Sequence, residues 1–185
     1  MSARATRVFT VGHSTHPIEE FIGMLQANAV DLVADVRTIP KSRHNPQFGE
    51  DELPGSLAAA GIGYRRLSGL GGLRHTTKNS ETGVNGAWRN ASFRGYADYM
   101  QTPAFDEALH GLIELATGTT VAIMCAEAVP WRCHRSLIGD ALLARDVIVE
   151  DIMSATSTKP HTLTRFAQVD GTRVTYPPDP PPLID

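Results

Sequence analysis

The chain has 185 residues, 42% of them apolar and 20% charged, which is enough for one substantial hydrophobic core. A formal net charge of −3 argues against a generally basic nucleic-acid coat, and two cysteines are too few for a disulfide scaffold. No apolar run of roughly eighteen residues occurs and the start "MSARATRVFTVGHS" lacks a secretory leader pattern, so no membrane span and a cytoplasmic location are expected.

Short β-rich runs alternate with helical patterns, the signature of βαβ units and a mostly parallel sheet. "RVFTVG" (7–12) reads as the first strand. In the segment after it Ile18, Phe21, Ile22 and Leu25 fall at helical spacing, with Ser14 or Thr15 available to cap the start and Pro17 near the first turn. "DLVADVR" (31–37) is a second strand, "LPGSLAAAGI" (53–62) a short helix stopped by Gly61, and "GYRRL" (63–67) a third strand. Residues 68–95 carry little periodicity and read as a long loop of the kind that is functional or mobile. "YADYMQTPAFDEALHGLIELA" (96–116) is one or two helices with a break at Pro103. "TTVAIMC" (119–125) is a fourth strand, 133–145 a helix and "VIVEDIM" (147–153) a fifth strand. The tail "YPPDPPPLID" (176–185) is expected to be extended and peripheral to a single domain covering 1–175. The expected fold is therefore an open, mostly parallel three-layer α/β sheet of Rossmann-like type with helices on both faces.

Charge is unevenly spread along these elements. From Arg37 to Phe48 there are three basic residues and a histidine but no carboxylate, and from Gly61 to Asn79 Arg65, Arg66, Arg74 and Lys78 again stand without an acid. A local positive surface on an acidic chain suggests a small anionic ligand. Open parallel sheets bind ligands beyond the carboxyl ends of their strands, and the polar residues collect there: His13 and Ser14, then Asp35, Arg37, Ser42 and Arg43, then "GLGG", then Cys125 and Glu127.

Cys125 ends an apolar strand, and the helix beginning near Cys133 offers unpaired N–H groups beside Arg132 and Arg135. Such surroundings favour an anion and lower a thiol's pKa, which makes Cys125 a candidate nucleophile with His13 or His134 as proton carrier and Asp35 or Glu127 as orienter. Equally, Cys125 can be a small buried residue that finishes a strand. Asp35 and Arg37 lie on one face of their strand and can form a plain salt bridge or orient His13; His134 and Arg135 can cap a helix or pair with Asp35 or Glu127. Gly71 and Gly72 can let backbone approach a ligand. A phosphatase loop fits poorly, because Cys125 and Arg132 enclose a segment one residue too long, without glycine and with Glu127 in it. Zinc or another soft metal at Cys125, Cys133 and His134 is a minority alternative, since their spacing matches no standard zinc pattern. A disulfide between the cysteines is not expected in a reducing compartment.

Taken together, "TVGHST", "ADVRTIPKSR", Tyr64 followed by "LGG", "YADYM" and "MCAEAVPWRCHRSLIGDALL" resemble the DUF488 family, whose members carry a strand ending in G-H-S, a D-V-R-x-x-P-x-S segment and a C-x-E…C-H-R segment. The resemblance runs from about Arg7 to Met153. It implies motif positions at Gly12, His13, Ser14, Asp35, Arg37, Pro40, Ser42, Tyr64, Gly71, Gly72, Cys125, Glu127, Cys133, His134 and Arg135, departs mainly in 73–95, and supplies no reaction.

The leading expectation is a thiol-dependent hydrolase or transferase acting on a small anionic or nucleotide-like substrate, with Cys125, His13, His134, Asp35 and Glu127 catalytic. Ser14, Arg37, Ser42, Arg43, Tyr64, Gly71, Gly72, Arg132 and Arg135 would bind the substrate, and no cofactor is expected. The alternative is a phosphate- or nucleic-acid-binding module using the basic stretches, with Trp88, Phe93 and Tyr96 for stacking.

Overall fold

A computed structural model describes residues 5–74 and 83–180. Five strands, β1 (Arg7–Gly12), β2 (Leu32–Asp35), β3 (Gly63–Arg66), β4 (Val121–Cys125) and β5 (Ile148–Ser154), run parallel, and β6 (Ser157–Pro160) closes antiparallel on β5. Their order in the sheet is β3-β2-β4-β1-β5-β6. All five residues of β4, "VAIMC", are buried, as a central strand covered on both faces requires.

Alternation along β4 divides the core in two. Val121, Ile123 and Cys125 join one apolar cluster with residues of α3 (Ala91–Tyr99), α4 (Pro103–Gly118) and α5 (Arg135–Leu143). Ala122 and Met124 join the other, with α1 (Ile18–Gln26) and α2 (Leu53–Ala59). This is the mixed α/β sheet with helices on both faces that the periodicities implied. No described helix is long and apolar enough to cross a membrane.

Local details differ from expectation in physical ways. Helix α1 is not capped by Ser14 or Thr15: Pro17 occupies the cap position and no side chain accepts there. Ser14 instead adopts φ +45°, a left-handed conformation uncommon for a residue with a Cβ. The expected loop 68–95 is shortened at both ends by a 3-10 turn, Ser68–Leu70, and by α3, whose first turn Asn90 caps by accepting from Ser92 N at 2.8 Å; its residues 75–82 lie outside the described part of the chain. Pro103 does mark a break, with Thr102 Oγ1 accepting from Phe105 N at 3.3 Å to start α4.

β6 and the hairpin of β7 (Gln168–Asp170) and β8 (Arg173–Thr175) were not expected. They bring Tyr176, the assumed start of a peripheral tail, into the core, where it is fully buried. The chain turns outward only after it, with Pro178 to Pro180 exposed, and 181–185 lie outside the described residues.

β1 and β4 are neighbours, yet the helices that follow them, α1 and α5, pack on opposite faces. That reversal opens a crevice at the carboxyl ends of the two strands, where α/β sheets bind ligands.

Candidate functional site

The crevice between Gly12 and Cys125 is filled by the chain itself. His13 N donates to Cys125 O and Ser14 N to Ala126 O, both at 2.9 Å, which carries the β1–β4 ladder past the strand ends. A Cβ on Gly12 would lie 1.6 Å from Glu127 O, so only glycine fits beneath this turn. Arg135, expected to meet substrate, is fully buried: its Nη2 donates to Glu127 O at 3.0 Å and Ala128 O at 3.2 Å, and its Nη1 to Thr10 Oγ1 at 3.1 Å. It braces the turn from full burial, with its Nε finding no partner among the described residues. Glu127, expected as an orienting carboxylate, is exposed and works through its carbonyl.

Two groups of polar side chains flank this turn, on opposite faces of the sheet. On the α1/α2 face lie His13, Asp35, Arg37 and Tyr64. Asp35 is fully buried and accepts from Arg37 Nε at 2.9 Å, Arg37 Nη2 at 2.6 Å and Tyr64 Oη at 2.6 Å. Burial followed by the Asp35 carboxylate keeps the Tyr64 phenol protonated, its pKa well above the usual value. His13, 3% exposed, stacks on Phe48 with centroids 4.3 Å apart, donates from Nδ1 to Ser14 O at 2.9 Å, and presents Nε2 to Arg37 Nη1 at 3.4 Å. Desolvation, reinforced by the Arg37 charge, lowers its pKa to about 4, so the ring is neutral. The left-handed Ser14 is what turns its carbonyl back onto this ring.

On the other face lie Cys125, Cys133 and His134. Cys125 is 2% exposed and Cys133 6%, both free thiols at the end of the α3–α5 core. The expected convergence on one electropositive hollow is therefore corrected: His13, Asp35 and Cys125 share an edge of the sheet but not a face, because 13 and 35 have the opposite parity to 125 across the paired strands.

The thiols are unequal. Burial pushes the Cys125 thiol up, but the neighbouring Cys133 thiol and the Arg135 charge outweigh burial and leave it below the ordinary thiol value. Burial and the neighbouring Cys125 hold Cys133 well above that value. When protonated, Cys125 donates to Glu127 O at 3.9 Å. His134 donates from Nε2 to Val36 O at 2.9 Å and turns Nδ1 to Cys133 Sγ at 3.5 Å; burial lowers its pKa to about 4. Cys133 Sγ thus stands between His134 Nδ1 and the backbone N–H of Arg135, which donates to it at 3.5 Å.

The remaining expected residues play other parts. A Cβ on Gly72 would sit 2.4 Å from His134 Nδ1, and one on Gly71 3.0 Å from Thr38 Oγ1, so these glycines admit the protein's own side chains. Ser42 Oγ accepts from Asn45 N at 3.0 Å. Arg43 and Arg132 are exposed and form no salt bridge among the described residues. Tyr96, expected to stack on bases, is fully buried with its hydroxyl on Leu70 O at 3.0 Å. Among the described residues no three His, Cys, Asp or Glu side chains are grouped to hold a metal ion.

One buried cluster was missed entirely. His161 donates from Nε2 to Asp140 Oδ1 at 3.0 Å and from Nδ1 to Asp151 Oδ2 at 3.1 Å. Asp140 also accepts from Tyr176 Oη at 2.8 Å and Thr164 N at 3.1 Å, and Asp151 from Thr10 Oγ1. Burial lowers the pKa of the imidazole, but the two carboxylates override it and raise it to about 9. The cluster borders a cavity of about 410 Å³ lined by Trp88, Trp131, Phe166 and Lys159 among others.

Residues 17–142 match the model of a family described as a domain of unknown function, DUF488. That span includes Asp35, the glycines at 71–72 and the segment from Cys125 to Arg135, and begins after His13. No curated protein and no solved structure matches the chain.

Proposed function

The chain belongs to the DUF488 family, whose description assigns no activity, and from its own geometry we propose that it is a thiol-dependent enzyme acting on a small anionic substrate at the carboxyl edge of its sheet. The observation that carries this reading is geometric: two free thiols, Cys125 and Cys133, lie at the carboxyl end of β4 beside the fully buried Arg135, whose backbone N–H donates to Cys133 Sγ at 3.5 Å and whose guanidinium charge draws the Cys125 thiol below its ordinary range. A pair evolved only to fill space needs no such arrangement, since two buried thiols without polar neighbours are both driven upward by desolvation.

In this reading the Cys125 thiolate attacks an electrophilic carbon or phosphorus of the substrate, and the bond to the leaving group breaks with its electron pair, which takes up a proton from water. While Cys125 is covalently bound, neutral His134 Nδ1, 3.5 Å from Cys133 Sγ, accepts from the Cys133 thiol. Water or a second substrate then releases the group from sulfur. Arg43 and Arg132, exposed and outside the framework, are the arginines available to an anion; Arg37 and Arg135 hold the architecture. With 2% of Cys125 exposed, an opening step precedes attack. Two adjacent free thiols fit a reducing compartment such as the cytoplasm.

The test is a turnover screen against phosphorylated and carboxylated small molecules. Cys125→Ser is expected to abolish any activity found while moving the melting temperature by only about 2 °C. Full turnover in that variant would remove Cys125 as the nucleophile.

A further inference from the structure

We propose that the cavity between the β4–α5 turn and the β5–β6 edge is a binding site for a small planar anion: an aromatic or heteroaromatic ring carrying a carboxylate or a phosphate. This does not rest on the thiol chemistry, because neither cysteine lines the cavity. Its volume of about 410 Å³ lies in the range that encloses small-molecule ligands.

The walls favour a flat ring. Trp88 is held by its own neighbours, with ring centroids 5.0 Å from Phe93, 4.8 Å from Phe166 and 5.3 Å from Tyr176, so it forms a fixed wall. Trp131 is the opposite case: it sits on a single 3-10 turn, Pro130–Arg132, and is 64% exposed beside the cavity. A large aromatic side chain left in water at the mouth of an apolar cavity has surface to gain by closing on a ring.

The polar atoms favour an acceptor-rich ligand. Both N–H groups of His161 are taken by Asp140 and Asp151, each Asp151 oxygen already accepts a hydrogen bond, and the Ser136 hydroxyl donates to Cys133 O at 3.0 Å. Among the described residues the Lys159 ammonium, the Thr162 and Thr164 hydroxyls and the Trp88 indole N–H are side-chain donors of the lining residues that make no hydrogen bond. The Trp88 indole N–H is itself buried, without a partner among the described residues, behind the cavity wall that its ring forms. Lys159 is exposed and makes no salt bridge among those residues. A free ammonium and two threonine hydroxyls on aromatic walls describe the recognition of a ring with a negative group.

Trp88 and Trp131 are the only tryptophans of the chain and both line this cavity, so intrinsic fluorescence reads it directly. The full chain is titrated with two charged ring compounds, AMP and nicotinate, and with adenosine, nicotinamide and ribose 5-phosphate as counterparts lacking the charge or the ring. Saturable quenching is expected from AMP or nicotinate, which separates the phosphate from the carboxylate source, with the matching counterparts about tenfold weaker. Lys159→Ala should weaken the charged compound about fivefold and leave the neutral one unchanged, and Trp131→Ala should weaken both. Both positions are exposed, so these variants keep the fold. No saturable quenching by either charged compound at millimolar concentration, or full affinity in Lys159→Ala, would overturn the proposal.

Discussion

Two imidazoles in this molecule are seated in the same way, yet one is neutral and the other cationic. His134 lies against Gly72 and His161 against Gly139, and in each case an added Cβ would lie within 2.4 to 2.9 Å of ring atoms. His134 faces a backbone carbonyl and a thiol, and its pKa is driven down to about 4. His161 faces two carboxylates and is raised to about 9. Residue type and packing are shared; the count of neighbouring charges decides the protonation state. His13 repeats the lesson, since Asp35 is close but its charge is spent on Arg37, and the ring stays neutral. Neutral His134 can accept a proton beside the thiol pair, whereas cationic His161 braces β5 to α5.

The contrast can be broken most forcefully at Asp140. It accepts from His161, Tyr176 and a backbone N–H in full burial, so Asp140→Ala should cost about 3–5 kcal/mol in urea unfolding. His134→Ala, which frees one carbonyl and a small space, should cost about 2 kcal/mol. A penalty below about 1 kcal/mol at Asp140 would mean that His161 is not held as a cation.

Stability against pH sharpens the same comparison. For His161 the folded pKa of about 9 exceeds the unfolded 6.5, so its contribution is complete below 6.5 and is lost as pH rises through 9. For His134 and His13 the folded values of about 4 lie under 6.5, so the unfolded chain takes up protons first and stability falls as pH drops from 6.5 towards 4. The alkaline limb, from one imidazole, is worth up to about 3 kcal/mol, and the acid limb, from two, up to about twice that. Urea midpoints across this range should show both limbs, and His161→Gln should remove the alkaline one alone.

Smaller effects belong to the glycines. Gly72→Ala and Gly139→Ala should each cost about 1–3 kcal/mol, and Gly139→Ala should become nearly neutral in a His161→Ala background, where the colliding ring is gone. Smallest of all, Lys159→Ala should change stability by less than about 0.5 kcal/mol, because that ammonium bonds to nothing structural.

The alternation of apolar residues made the parallel strands and both helical layers legible, and strand-end polarity located the edge. Parity was the missed step: with strand registers aligned, 125 and 13 point to opposite faces, which no motif reveals without pairing. Gly72 did announce a close backbone approach, but sequence does not say what approaches, and here it is the His134 ring rather than a ligand; Gly12, read only as a motif position, proves to lie under Glu127 O. The His161 cluster left a usable signal, since Asp140 within "RSLIGDALL" and Asp151 within "VIVEDIM" are carboxylates in apolar runs and must have partners. β6 is mostly exposed and β7 wholly so; neither shows an alternation to read, although Asp170-Gly171, with Gly171 at φ +61°, marks the hairpin turn.

The central claim is that Cys125 is the ionisable sulfur of an unequal pair. Ultraviolet absorbance of thiolate, followed through a pH titration of the native chain, Cys125→Ser and Cys133→Ser, tests it directly. One thiolate should appear below the ordinary thiol range in the native chain, vanish in Cys125→Ser and move to higher pH in Cys133→Ser. Two sulfurs ionising together above that range, with the same midpoint in either variant, would contradict it.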